Sequence, residues 1–194
     1  MGRIEKTEYP GGTYIREYVD KVPAIKDIPE ENRAMVYLPD TPVQKLMEIG
    51  GATFSIMVGR FLDACAERFG EEVYDIAEQV AYDVGIERAP AYQKMMNIDD
   101  VNDARALGRI ADAEGCPYGM ASFWPDPGKK HGVMRAINCT WAPGCVKHHV
   151  IHRICEAMDK GTIMALGGKV KAVTMPKAIP DGDPYCELEI EMED

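Results

Sequence analysis

Large apolar side chains recur at three- and four-residue intervals through the first half of the chain, and that spacing predicts helices. Thr41-Pro42, a cap residue followed by a first-turn proline, opens a short helix that should stop at Gly50-Gly51. The next segment places Phe54, Met57, Phe61, Leu62, Cys65 and Phe69 on one helical face, closed by Gly70. Val73, Ile76, Ala77, Val80, Ala81 and Val84 then form a second amphipathic stripe. A further helix is expected from Asp99-Asp100 through Val101, Ala104, Leu107 and Ile110 to Gly115. Cys65, inside the first stripe, reads as a small core residue.

The texture changes after Gly115. Residues 118–124 and 133–140 read as strands around a Pro/Gly-rich turn at 125–132. A helix over about 143–160 follows, then strand-like runs at 169–175 and 185–192, joined through Pro180-Asp181-Gly182-Asp183-Pro184. Cys116, beside Pro117, fits a turn. Helices first and an antiparallel sheet afterwards is an α+β order, with N-terminal helices packed on a C-terminal sheet and one long helix inserted in it. Residues 1–40, punctuated by Pro10-Gly11-Gly12, Pro23, Pro29 and Pro39, are expected to be an irregular arm, and residues 41–194 one domain. Such an arm would suit a homodimer with exchanged arms.

Charge narrows the partners. A net charge of −10 disfavours nucleic acid and anionic membrane, whose binding needs a basic surface. The closing Glu187, Glu189, Glu191, Glu193 and Asp194 read as a solvated strand face running into a tail. No stretch is expected to approach the roughly eighteen apolar residues of a membrane span, and Met1 to Lys6 leads into no signal-peptide core. Six cysteines and twelve methionines in 194 residues suit a reducing cytoplasm better than a disulfide scaffold. No glycine-rich phosphate loop is present, so nucleotide cofactors lack support.

The densest chemistry lies between Cys139 and Cys186. Three of the four histidines, His148, His149 and His152, fall within five residues. On a continuous helix His148, His152 and Cys155 would share one face at i, i+4 and i+7, while Cys145, His149 and His152 would offer a second. Imidazole with thiolate suits zinc, for which His148, His152 and Cys155 are the candidate ligands. Alternatively, Cys139 or Cys155 is a nucleophile and His149 or His152 its acid–base partner, with no cofactor. Asp159, one turn past Cys155, could orient a histidine or a substrate amine. The competing reading is an amphipathic helix with exposed histidines and core thiols.

The strand ending Cys139-Thr140-Trp141, the helix bearing Cys155-Glu-Ala-Met-Asp159 and the closing Ile179-Pro-Asp181-Gly182-Asp183-Pro-Tyr185-Cys186 together resemble the L-2-amino-thiazoline-4-carboxylic acid hydrolase-like family. The match covers the last sixty residues; Glu187-Leu188 departs from the Asp-Phe common there. The resemblance implies a cytoplasmic hydrolase that opens a non-peptide C–N bond in a small cyclic amidine. It places Cys139, Cys155 and Asp159 at catalytic positions, with Trp141, Asp183 and Cys186 towards the substrate. A more distant resemblance to 4-vinyl-reductase-like domains implies instead a small-ligand-binding or sensory domain, in some cases holding zinc. Those domains usually carry a further cysteine where this chain has Ala178.

Overall fold

The computed structural model describes residues 3–9, 12–18, 43–115, 122–137, 139 and 141–194. The chain divides into two compact units, Met1–Pro42 and Val43–Asp194. In the first, β1 (Arg3–Tyr9) and β2 (Gly12–Tyr18) pair antiparallel, with Tyr9 opposite Gly12. Residues 3–9 and 12–18 of the segment expected to be irregular are therefore paired strands, and residues 19–42 lie outside the described residues. β-branched and aromatic residues on both sides of Pro10-Gly11 carry the strand propensity that the breakers obscured.

The second unit is α+β. Two long helices, α1 (Val43–Phe69) and α2 (Glu72–Met96), are followed by the short α3 (Ala104–Leu107) and α4 (Arg109–Gly115). Strands β3 (Ser122–Pro127) and β4 (His131–Ala136) lead into α5 (Ala142–Lys147) and α6 (His149–Ala165). Strands β5 (Val170–Lys177) and β6 (Cys186–Met192) close the chain, and the sheet order is β3-β4-β6-β5, antiparallel throughout. The inner face of the sheet supplies Met134, Ala136, Val173, Leu188 and Ile190 to a core completed by Leu107 and Ile110 from α3 and α4 and Ile163 from α6.

Several boundaries differ from expectation. α1 runs straight through Gly50-Gly51, because a glycine pair costs a long helix only about 1 kcal/mol per residue relative to alanine. Its expected cap, Thr41-Pro42, lies outside the described residues, as do Cys116 and residues 118–121. The helix expected from Asp99 starts later, at Asp103, whose carboxylate accepts from the Arg105 and Ala106 backbone N–H groups at 2.9 and 3.1 Å. The strand expected to reach 140 ends at Ala136, and the helix expected over 143–160 is broken into α5 and α6 at His148. Helix Ile49–Phe69 is, by length and composition, long and apolar enough to cross a bilayer, which corrects the expectation that no stretch approaches a span.

The last strand also differs from a solvated acidic face. Glu187 is buried, where Arg135 Nε donates to it at 2.6 Å and Lys177 Nζ lies at 3.2 Å. Burial alone would raise this carboxyl, but the hydrogen bonds from Arg135 and Lys177 together hold it below the usual range.

The long helices pack in an unexpected direction. On α2 the buried positions are the small residues Ala81, Gly85 and Ala89, four apart, while Ile76, Val80 and Val84 stay exposed. On α1 the buried positions are Gly51, Ser55 and Gly59, and Phe54, Met57 and Phe61 are exposed. Small stripes let backbones meet. A Cβ on Gly85 would run into the Met158 carbonyl oxygen of α6, and one on Gly161 of α6 into that of Tyr82 on α2. Arg153 of α6 ties the same helices together, donating to Asp75 at 2.7 Å and to Glu78 at 2.8 Å.

This contact makes opposite predictions for two glycines. Gly85→Ala forces α2 off α6 and should destabilise the protein in urea by about 2–3 kcal/mol. Gly50→Ala, where an added Cβ meets nothing within 4 Å, should stabilise by about 0.5–1 kcal/mol. Equal effects at both sites would contradict the packing described.

Candidate functional site

Between α2, α6 and the inner face of the sheet lies a cavity of about 220 Å³. Its floor follows from strand periodicity. Met134 and Ala136 are two apart on β4, so both point to the same face, and their register partners on β6 are Leu188 and Cys186. Its wall follows from helix periodicity: His152, Cys155 and Asp159 at i, i+3 and i+7 on α6 all line it, facing Arg88 and Tyr92 of α2. Cys139, Trp141 and Cys145, around the start of α5, close one end, and Ile179-Pro180 of the 3-10 turn Ile179–Asp181 contribute another edge.

The cavity thus brings together Cys139, Trp141, His152, Cys155, Asp159 and Cys186 of the sequence-derived set. Three other candidates are elsewhere. His149 is exposed, with its Nδ1 3.8 Å from Asp181. Asp183 is not among the lining residues, and its carboxylate accepts from the Ala178 N–H at 3.0 Å, the turn role open to any such aspartate. His148 turns towards α1, where its Nδ1 is 2.5 Å from Asp63 Oδ2. Tyr74 donates to the other oxygen of the same carboxylate at 2.8 Å.

This placement corrects the helical face proposed for His148, His152 and Cys155. His148 has extended backbone at the α5–α6 break (φ −138°, ψ 93°), so i, i+4, i+7 geometry does not include it. Its ring packs over Gly59 of α1, where only a glycine leaves room. The alternative face of Cys145, His149 and His152 is split by the same break. His148, His152 and Cys155 are thus not brought together as a ligand set, and among the described residues no group of three or more His, Cys, Asp or Glu side chains is arranged to hold a metal ion.

Polar groups in the cavity are few. Arg88 Nη2 donates to Asp159 at 3.3 Å and Arg88 Nε to Thr162 Oγ1 at 2.8 Å, so the two charges offset one another. The Nε2 atom of His152 is buried and has no hydrogen-bond partner among the described residues. Burial pushes the Cys139 thiol up, against the pull of the Trp141 and Ala142 backbone N–H groups beside it. Burial does the same to Cys186, whose sulfur accepts from the Ile179 N–H at 3.4 Å. Cys145 is pushed up to about 12, again chiefly by burial.

Arg88 is the main lining residue that sequence reasoning missed. Its signal was present: Gly85, Arg88, Ala89 and Tyr92 continue the small-residue face of α2, and an arginine inside that face needs a buried partner.

Fold and site together define an α+β domain with a mostly apolar, partly open cavity between helices and sheet. No family model and no curated protein matches the sequence. Solved structures share the fold. A trafficking protein particle complex subunit 3 from Naegleria fowleri, covalently bound to palmitic acid, is similar with a TM-score of 0.56 and 8% identity, over 76% of this chain and 97% of that one. The phenol-responsive sensory domain of the transcription activator PoxR, with phenol, is similar with a TM-score of 0.53 and 11% identity, over 71% and 74%. At these identities the likeness is one of fold.

The thiols carry a testable consequence. With its folded value near 12 against an ordinary 9.0, Cys145 has about one part in ten thousand ionised at pH 8. Iodoacetamide at pH 8 should leave Cys145 unmodified in the folded protein and label it readily in urea, read by peptide mass spectrometry. Because the folded value is raised, Cys145 contributes stability fully below the ordinary thiol range, and that contribution should fade as pH rises from 9 towards 12. Equal labelling in both states would overturn this picture.

Proposed function

We propose that this protein binds a small, uncharged, largely apolar molecule in the cavity between α2, α6 and the sheet. The observation that carries this reading is a partly open, mainly apolar space in which, among the described residues, Nε2 of His152 is buried without a hydrogen-bond partner. A cavity of roughly 150 Å³ lined by aliphatic side chains already accommodates benzene, so 220 Å³ suits a substituted single ring or a short chain. Arg88 and Asp159 balance each other, which favours a neutral ligand over an ion. That similar folds occur with phenol and with palmitic acid bound supports the same reading.

Calorimetric titration tests it directly. Phenol should bind more tightly than benzoate, because benzoate would bring an unpaired charge into the cavity. His152→Leu should weaken phenol about tenfold, the loss of one buried hydrogen bond, while toluene binding stays within about twofold. Absence of heat and of thermal stabilisation with any neutral ring would remove the proposal, and so would equal loss of phenol and toluene.

A second reading keeps the C–N hydrolase implied by the closing Gly182-Asp183-Pro-Tyr-Cys186 segment. It is favoured by the convergence of Cys139, Cys155, Cys186, His152 and Asp159 on one cavity. In this reading a thiol adds to the amidine carbon as His152 takes its proton, His152 returns that proton to the ring nitrogen as the C–N bond breaks, and water then adds to the carbon and displaces the thiol. The Trp141 and Ala142 N–H groups stabilise a Cys139 thiolate as it forms. The raised thiols of Cys139 and Cys186 weigh against it, since the neutral thiol is the resting form. Turnover of 2-amino-thiazoline-4-carboxylate that disappears in Cys139→Ala or Cys155→Ala would establish it. Full turnover in both variants would exclude thiol catalysis.

A further inference from the structure

We infer that the bulky apolar faces of α1 and α2 form an interface with a second copy of this chain. Met57 and Phe61 on α1 are 60% and 65% exposed, and Ile76 and Val80 on α2 are 62% and 55% exposed. Among the described residues, ten of the thirteen exposed large apolar side chains lie on these two helices. Scattered exposed apolar residues are ordinary, but a spaced series on neighbouring helices marks an interaction surface. The faces are not a by-product of loose folding. Each helix already packs through a different stripe, Gly51-Ser55-Gly59 and Ala81-Gly85-Ala89, and so presents its large residues outward.

Spacing, area and charge point to a second copy as the occupant. Positions 54, 57 and 61 on α1 and 76, 80 and 84 on α2 form ridges at the intervals by which helices interleave. With about 100 Å² uncovered on each of these six large side chains, the ridges come to roughly 600 Å² per copy, the lower end of a stable specific interface. The rims differ in net sign: Arg60 and Arg68 outnumber Glu67 beside the α1 ridge, and Asp83 and Glu87 outnumber Lys94 beside the α2 ridge, all six exposed. Setting α1 against α1, or α2 against α2, brings like charges together. Setting α1 of one copy on α2 of the other pairs opposite charges, and a two-fold axis makes that contact twice. Arg60 and Arg68 thereby offset, where the copies touch, the repulsion between two chains of net charge −10.

A bilayer suits this face less well. α1 carries Arg60 and Asp63 within its apolar stretch, Asp63 is held by His148 and Tyr74, and the neighbouring rim of α2 is acidic.

Sedimentation velocity of the full chain, at about 1 to 50 μM, decides the matter. The wild type should sediment at twice its 21.5 kDa mass. Phe61→Glu and Val80→Glu, both at exposed positions, should each sediment as monomers with unchanged circular dichroism. Arg60→Glu should weaken the dimer at least tenfold, and adding Asp83→Arg to it should restore most of that loss. The inference is overturned by a monomeric wild type at 50 μM, by flotation of monomeric wild type with phosphatidylcholine vesicles, or by a dimer that neither glutamate substitution disturbs. A dimer weakened by Arg60→Glu but not rescued by Asp83→Arg would overturn the α1-on-α2 arrangement.

Discussion

Where α2 crosses α6, Gly85 and Gly161 leave no side chain between the two backbones, and the placement of much else follows from this contact. The crossing sets α6 close enough to α2 for Arg88 to reach Asp159 and Thr162, and for Arg153 to reach Asp75 and Glu78. It also fixes the face that α6 presents to the sheet, and hence the alignment of His152, Cys155 and Asp159 along one wall of the cavity. Because the contact is between backbones, it cannot be relieved by a rotamer change. The cavity walls are correspondingly well defined.

The same principle governs α1. Its small stripe receives the start of α5, with Ser55 against Gly144, and the ring of His148 sits over Gly59. The hydrogen bond from His148 to Asp63 then draws that histidine away from the cavity at the break between α5 and α6. One consequence is chemical. The three-histidine cluster is dispersed: one ring faces α1, one faces solvent beside Asp181, and His152 alone is left on the cavity. Consecutive helix positions point about 100° apart, and the break at His148 widens the divergence.

Much of the site was legible because it rests on local periodicity. Cys139, Trp141, Cys155, Asp159 and Cys186 were identifiable as a group and all line the cavity; helix and strand periods carry Cys155, Asp159 and Cys186, while Cys139 and Trp141 reach it from the segment between β4 and α5. The sheet's antiparallel order was legible for a similar reason, since alternation and turn residues are short-range signals. The helices were less so. Their apolar spacing was clear, but its direction was not: spacing says that Phe54, Met57 and Phe61 share a face, and it does not say whether that face looks inward. Arg88 was missed because its partners lie 71 and 74 residues away. The burial of Glu187 likewise depends on Arg135, 52 residues off.

By itself the sequence determined what repeats within a turn or a strand: the α+β order, the amphipathic helices, and a concentration of thiol and imidazole towards the C-terminal end. Only the tertiary structure decided which side of each helix is inside. That choice is made by whether two backbones can approach, and it turned on glycines whose value lies in the partner they admit. It also decided which polar groups meet, because Arg88 with Asp159 and Asp63 with His148 come from elements far apart in the chain. Hydrophobic spacing reports a face; contact between faces is a property of the folded whole.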